Sequence, residues 1–309
     1  MGKGISIVVP CYNEEESLTD ICNRLKGALL EGGINYEIIF VDDGSTDGTL
    51  IILKELAVKN SNIKFISLSR NFGQQIAIMA GIDCSLRNAV VIIDADLQDP
   101  PELIPEMVKK WQEGFDIVYA IRESREGETF FKRITAKLFY RIIRLLSGLN
   151  LPLDAGDFRL IDKKIADALK NIRIKNTYVR GLVSWVGYRQ AGVYYRRDKR
   201  LKGKTKYSLK KMIKFSVDAI TIFSVIPLRL ASLLGLLAAI AGIVYIFHTM
   251  YLKFVLNIAI PGWSSLMVAI LFLGSVQLIS LGIIGEYLGR VYDESRHMPL
   301  YLVKEKSTF

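Results

Sequence analysis

The first 120 residues alternate between two hydrophobic periods. Short apolar runs at Ile5–Pro10, Glu37–Asp43, Ile63–Ser69, Val90–Asp94 and Asp116–Ile121 each give way to polar, turn-forming residues. Between them, Glu15–Leu30, Asp47–Lys59, Gln74–Ser85 and Pro101–Glu113 carry the spacing of helices. Continuous apolar runs fit strands covered on both faces. Their alternation with helices predicts an α/β fold, a doubly wound and mostly parallel sheet with right-handed crossovers. Ligands of such sheets bind beyond the carboxyl ends of the strands.

The pattern changes after Thr135. Lys137, Arg141 and Arg144 share one helical face, with Leu138, Phe139, Ile142 and Leu145 on the other. In Leu209–Phe223, Lys211, Lys214 and Asp218 stand opposite Met212, Ile213, Phe215 and Val217. Either segment taken alone reads as an ordinary core-facing helix. The second, however, runs straight into a membrane pattern, which favours amphipathic helices lying in the bilayer interface. Residues from Leu228 to Leu252 and from Gly262 to Ile284 are almost wholly apolar. Each run reaches the roughly 20 residues that span a hydrocarbon core. The expected segmentation is a sheet domain over 1–207 with an interfacial helix near 136–148, a juxtamembrane helix over 208–226, two transmembrane helices over 227–290, and a tail over 291–309.

Charge sets the orientation. The stretch 196–214 is densely basic, and Arg290, Arg296, Lys304 and Lys306 follow the second span, whereas the connection 253–261 carries only Lys253. The positive-inside bias puts the sheet domain and both termini in the cytoplasm. The formal net charge of +10 fits contact with anionic headgroups better than with nucleic acid, because the basic belt adjoins the spans. Cys11, Cys22 and Cys84 are odd in number and form no metal-type pair, as expected in a reducing cytosol. The N-terminal MGKGISIVVP runs directly into a strand pattern, so no cleavable signal peptide is expected.

The chemistry collects at the strand exits. The run VVIIDADLQDPPE delivers Asp94 and Asp96 just past a strand and then stops on two prolines. Two hard oxygen ligands so placed suit Mg2+ or Mn2+ that also holds substrate phosphates. The plain alternative, that Asp96 or Asp99 caps the helix begun at Pro100 and Pro101, accounts for one aspartate but not for the pair. Other exits carry CYNEE, DDGSTDGT and SRNFG. Each is weak alone, since Ser45 or Asp47 reads equally as a cap and Asn71-Phe72-Gly73 as a turn. Together they line one sheet edge as a nucleotide crevice. The glycine fingerprints of dinucleotide-binding and P-loop proteins do not occur, which disfavours both classes.

VVPCYNEE, FVDDGSTDGT, SRNFG, VIIDADLQDPPE, GDFRL and GKTKYSL, in this order, resemble the inverting family 2 glycosyltransferases of GT-A fold. More narrowly, the chain is similar to bacterial polyisoprenyl-phosphate glycosyltransferases, relatives of dolichyl-phosphate mannose synthase, over essentially its whole length. The resemblance implies that Pro10, Tyr12 and Glu14 border the nucleobase and ribose, and that Asp43 recognises the base or sugar. It makes Asp94 and Asp96 the D-x-D metal ligands, with Ala95 lining the pocket and Gln98 beside metal and donor sugar. Asp157 matches the position usually assigned to the catalytic base. Arg122, with Lys132 or Arg133, approaches the lipid phosphate. Lys206 matches the lysine of a Ser-Lys pair in which this chain has Thr205.

The expected reaction is inverting transfer of a hexose, with glucose the first choice, from a UDP-sugar to undecaprenyl or another polyprenyl phosphate. A phosphate monoester has a second pKa near ~6 and is largely ionised at neutral pH. Asp157 is therefore expected to orient the nucleophile or a cation more than to remove a proton. A processive polysaccharide synthase is disfavoured by two spans and by the lack of a Q-x-x-R-W motif. A non-catalytic nucleotide-sugar-binding protein is disfavoured by the presence of Asp94, Asp96 and Asp157 together. A flippase is disfavoured by spans with almost no polar residues beyond His248 and Gln277. Two spans per chain are compatible with self-association.

Overall fold

The computed structural model describes residues 4–122, 155–174, 178–195, 224–256 and 262–308. The elements in chain order are β1 (Ile5–Cys11), α1 (Leu18–Glu31), β2 (Tyr36–Asp42), α2 (Thr49–Lys59), β3 (Ile63–Leu68), α3 (Gln74–Cys84), β4 (Ala89–Ile92), a single 3-10 turn (Pro101–Leu103), α4 (Ile104–Gln112), β5 (Ile117–Arg122), β6 (Ala155–Asp162), α5 (Lys163–Lys170), α6 (Val179–Trp185), β7 (Gln190–Tyr195), α7 (Ile226–Phe254), α8 (Trp263–Ser295) and β8 (Val303–Lys306).

Eight strands form one sheet in the order β7-β5-β6-β4-β1-β2-β3-β8. β3, β2, β1 and β4 run parallel, as the apolar runs predict. β6 enters antiparallel between β4 and β5, β7 lies parallel to β5, and β8 closes the β3 edge antiparallel. The sheet is thus more mixed than the sequence suggests. All seven residues of β1 and of β2 are buried, which is why these strands read as unbroken hydrophobic stretches. Burying each Val, Leu or Ile stabilises the fold by about 1.5–3 kcal/mol.

Helix α3 supports the crevice from below. Ile76 through Ile82 are all buried, because the helix lies against β1, β2 and α5 at once. Gly81 permits the approach: a Cβ there would fall 2.3 Å from Cγ1 of Val8. At the opposite, amino-terminal edge of the sheet, Glu37 is buried but accepts from the Ser6 hydroxyl at 2.5 Å and from Lys64 Nζ at 3.0 Å. Helix α5 begins where Asp162 caps the backbone N–H of Lys164.

The chain divides into two compact units. The tail from Pro299 onward joins the sheet unit. There Ser69 N donates to Leu302 O, Ser307 N to Phe65 O, and Lys54 pairs with Glu305 at 2.8 Å. The second unit contains α7 and α8, both long and apolar enough to cross a membrane. Their ends extend past the expected spans, to Ile226–Phe254 and to Ser295. The amphipathic segment expected near 136–148, and residues 208–223 of the one expected over 208–226, lie outside the described residues.

Candidate active site

Three loops at the carboxyl edge of the sheet are stitched into one floor. Asn13 leaves β1 in the left-handed conformation, at φ 55°. Its N–H donates to Ser45 Oγ at 3.0 Å, and its Oδ1 accepts from Thr46 N at 2.9 Å. Asp42 accepts from Ser45 N and from the Ser67 hydroxyl. Asp43, the residue expected to read the base or sugar, is buried and takes Phe72 N at 2.7 Å and Gly73 N at 2.9 Å. Burial pushes its carboxyl up, against the pull of these two amides. A carboxylate oxygen has two lone pairs, so each oxygen can accept once more. Pro10 is buried in β1, Tyr12 stands 38% exposed, and Glu14 is half-buried with its carboxylate on the Ser17 hydroxyl at 2.9 Å.

Gly44 locks this floor. It sits at φ +69°, and a Cβ would lie 2.5 Å from the carbonyl carbon of Arg70. Only glycine meets both demands at so close a backbone approach. Neither Ser45 nor Asp47 fills the cap position of α2, which Gly48 occupies. Asp47 instead accepts from Thr49 N and Glu15 N, and Glu15 reaches Gly48 N at 2.7 Å.

The β4 exit carries the carboxylates. Asp94 and Asp96 are half-buried and flank the buried Ala95. Gln74 Nε2 donates to Asp94 Oδ1 at 2.7 Å, and Gln98 N donates to Asp96 Oδ1 at 3.2 Å. Leu97 between them is left-handed at φ 61°, a costly conformation of the kind that clusters at functional sites. Withdrawal from water, followed by repulsion from Asp157, Asp99 and Asp96, pushes the Asp94 carboxyl up to about 8. A group so crowded by negative charge suits a cation. Among the described residues no three Asp, Glu, His or Cys side chains converge as a ready-made cage. One or two carboxylates completed by water and substrate phosphates is the usual protein contribution to Mg2+, and Asp94 and Asp96 fit it.

Asp99 does not cap the following turn, whose cap position is Pro100 with no side-chain bond. It is buried and accepts the Tyr195 hydroxyl. Arg122 Nε donates to that same hydroxyl at 3.1 Å, and Arg122 Nη2 stands 3.7 Å from Asp99. Arg122, expected at the lipid phosphate, is thereby anchored at the end of β5. Lys132, Arg133 and Lys206 lie outside the described residues.

Asp157 lies within β6. Arg180, from α6, grips it with Nε on Oδ1 at 2.7 Å and Nη2 on Oδ2 at 3.1 Å. Gln75 Nε2 adds a contact to Oδ2 at 3.4 Å, while Gln75 Oε1 accepts from Val179 N at 2.9 Å. Burial alone would raise the Asp157 carboxyl, but Arg180, Arg159 and Gln75 hold it below the usual range. Arg159 is buried beside it and donates to the carbonyls of Asp157 and Gly156. Burial brings its guanidinium down to about 10, so it stays charged at neutral pH. Asp157 is also the strongest charged influence on Asp94. The antiparallel pairing of β4 with β6, which sets Ile92 opposite Arg159, brings the two carboxylates predicted for opposite sides of a transfer to the same edge of the sheet.

Sequence reasoning missed Gln74, Gln75, Asp99, Arg159, Arg180 and Tyr195. The glutamines directly follow SRNFG and Arg159 lies inside GDFRL, so adjacency to motifs was their signal. Arg180 and Tyr195 carry no local signal.

A family model described as glycosyl transferase family 2 matches residues 6–170, and one described as GtrB C-terminal hairpin matches residues 226–291. The glycosyltransferase YkcC of Bacillus subtilis is 52% identical over 300 residues, covering 97% of this chain and 93% of its own length. The bactoprenol glucosyl transferase of Shigella phage SfV is 38% identical, covering 98% of each. The prophage bactoprenol glucosyl transferase homolog of Escherichia coli is 37% identical, covering 97% of this chain and 98% of its own. With a sheet domain and an apolar hairpin both matched, this chain belongs to glycosyl transferase family 2 and carries the GtrB C-terminal hairpin.

Proposed function

We propose that the protein transfers glucose from UDP-glucose to a polyprenyl phosphate at the cytoplasmic face of a membrane, with inversion at the anomeric carbon. The observation that carries this reading is the end-to-end match to bactoprenol glucosyl transferases, joined to a crevice that holds Asp43, Asp94, Asp96 and Asp157. A phosphate oxygen of the lipid attacks the anomeric carbon and forms the new C–O bond. The bond to the UDP oxygen breaks, and UDP leaves with the electron pair. The loops bearing Tyr12, Glu14 and Asp43 hold the nucleoside, and Ala95 and Gln98 border the sugar. Asp94 and Asp96 would hold Mg2+ or Mn2+, which would neutralise charge on the departing diphosphate. Arg122, with Lys132 or Arg133 and Lys206, gathers the lipid phosphate.

The cytoplasmic placement follows from the basic flanks of the spans. That the sheet domain and the tail lie on one side is supported by β8, which follows α8 in the chain and yet pairs with β3. A tail that shares a sheet with the domain preceding the spans calls for an even number of crossings. The deciding experiment incubates the full-length protein in detergent with undecaprenyl phosphate and radiolabelled UDP-sugars in turn. Label from UDP-glucose entering the lipid fraction is the expected result. Transfer from another UDP-sugar only, or to no lipid phosphate, overturns the reading.

A further inference from the structure

The tail from Pro299 onward reaches the donor floor at one remove. Tyr301 is half-buried, and its hydroxyl donates to Asp83 Oδ2 at 2.7 Å. Arg173, just past α5, donates from Nη1 to the same oxygen at 2.7 Å. The other oxygen of Asp83 is buried and finds no hydrogen-bond partner among the described residues. The carboxylate is thus held at a single point, where α3, the tail and the chain after α5 meet. Hydrogen bonds to an ionised group are stronger than neutral ones.

The next residue, Leu302, accepts from the backbone N–H of Ser69 at 2.8 Å. Ser69 opens the SRNFG loop, and Asp83 lies in the last turn of the helix that follows it. Two adjacent tail residues therefore hold residues 69–83 at both ends. What this segment offers to the site lies between those two points. Phe72 N and Gly73 N donate to the two oxygens of Asp43 at 2.7 and 2.9 Å, and Gln74 Nε2 donates to Asp94 Oδ1 at 2.7 Å.

A second path runs beside the first. The β3–β8 register shifts between Ser67 and Leu68, an irregularity of the kind that re-aims side chains next to active sites. Ser67, opposite Glu305, gives its hydroxyl to Asp42, which also accepts from Ser45 N. A contact stretched to about 3.6 Å is no longer a hydrogen bond, so a loop shift of roughly 1 Å releases Asp43.

We infer that Tyr301 is a positioning residue for the donor: with Leu302 it clasps the loop and α3, and so aims the amides and the glutamine that hold Asp43 and Asp94. The inference rests on the proposed UDP-sugar donor and deepens it.

The test uses the full-length protein in detergent, with UDP as the calorimetric probe and UDP-glucose and undecaprenyl phosphate as substrates. Hydrogen exchange of residues 69–84 is followed in parallel without ligand. Tyr301→Ala is expected to raise Kd for UDP and KM for UDP-glucose by about threefold to tenfold, the scale of one lost hydrogen bond. Turnover at saturating donor and KM for the lipid phosphate stay within about twofold, because binding lost equally from ground and transition states spares kcat. Exchange across residues 69–84 is faster, as expected of a locally loosened segment. Tyr301→Phe, which keeps the ring, changes the same quantities less. Trp111→Phe is the control for stability alone. Trp111 is buried in α4 and donates to Asp162 at 2.7 Å, so this variant lowers Tm while leaving UDP affinity and the exchange of residues 69–84 unchanged.

Three results overturn the inference. Tyr301→Ala could lower Tm with UDP affinity and exchange untouched. Both variants could weaken UDP alike, which marks general destabilisation. The loss in Tyr301→Ala could fall on kcat or on the lipid phosphate. Should the wild type bind no UDP, the proposed donor fails, while faster exchange in Tyr301→Ala still upholds the clasp and unchanged exchange sinks it.

Discussion

The hydroxyl of Tyr195, at the end of β7, donates to the carboxylate of Asp99, in the loop leaving β4. The bond joins two positions 96 residues apart and lets Arg122 lean on both partners. Tyr195→Phe leaves a carboxylate that is 1% exposed without its hydroxyl donor. Such a loss costs about 1–3 kcal/mol. Thermal denaturation should show a lowered Tm for Tyr195→Phe and no change for Tyr194→Phe, whose ring is 63% exposed. Equal melting of the two variants would refute a supporting role for this bond.

Gly44→Ala should damage donor binding more than any other single methyl addition in the floor. The new Cβ would press on the backbone of Arg70 from a left-handed position, where a side chain costs about 1–2 kcal/mol before any clash. The SRNFG loop must then move off Asp43. Calorimetry with UDP-glucose should show affinity reduced by about tenfold or more, equivalent to 1.4 kcal/mol. Unchanged affinity would mean that the Asp43 clamp does not shape the donor site.

Transfer should stop in EDTA and return on adding Mg2+ or Mn2+, and Asp96→Asn should reduce it by about 10²-fold or more, the scale of a lost electrostatic stabiliser. Initial rates with radiolabelled donor check both. Full activity in EDTA would remove Asp94 and Asp96 from a metal role.

Acid should act partly through Glu37. Burial alone would raise its pKa, but the Ser6 hydroxyl, Lys64 and the Leu86 amide hold it below the usual carboxylate value. A lowered folded pKa contributes stability that is present above the unfolded value, about 4.3, and is lost as pH falls through the folded one. Lys64→Met should therefore cost about 3 kcal/mol at pH 7 by leaving a buried charge without its ammonium. The difference should shrink as pH falls below the unfolded value and on through the lowered folded value, where Glu37 of the wild type also takes up a proton. Urea unfolding of the two proteins at pH 7 and pH 3.5 measures it, and a gap of constant size would show that the ion pair is not its source.

The proposed orientation predicts opposite labelling of two engineered cysteines. In a Cys84→Ser background, Leu256→Cys, just after α7, should react with an impermeant thiol reagent in intact cells. Lys59→Cys, at the end of α2, should react only after lysis. The reverse pattern would invert the topology.

Strands β1 to β4 are legible because parallel strands buried on both faces leave unbroken apolar runs, and β5 keeps such a run although β6 pairs with it antiparallel. Strand β6 is not. Its sequence AGDFRLID looks like a loop until Asp157 and Arg159 are seen to be neutralised by Arg180 and by backbone carbonyls. Strand β8 is VKEK and mostly exposed, so it lacks the signal of a core strand. The carboxylate pair at β4 could be read from its exit position, yet its crowding by Asp157 could not. That proximity arises where β4 and β6 pair antiparallel, a register no local pattern encodes. The prolines after Asp99 offer a cap as the plain alternative for Asp96 or Asp99, but a tyrosine 96 residues away claims Asp99.

The pairing of β8 with β3 imposes an order on biosynthesis. A ribosome releases β3 early, and its outer edge then waits unpaired while the two apolar helices are made. Exposed strand edges invite association with other chains, and N-terminal regions begin folding while later residues are still being added. The enzyme can thus finish its sheet only after its membrane hairpin has been synthesised, so the closing of that edge reports that the hairpin is complete.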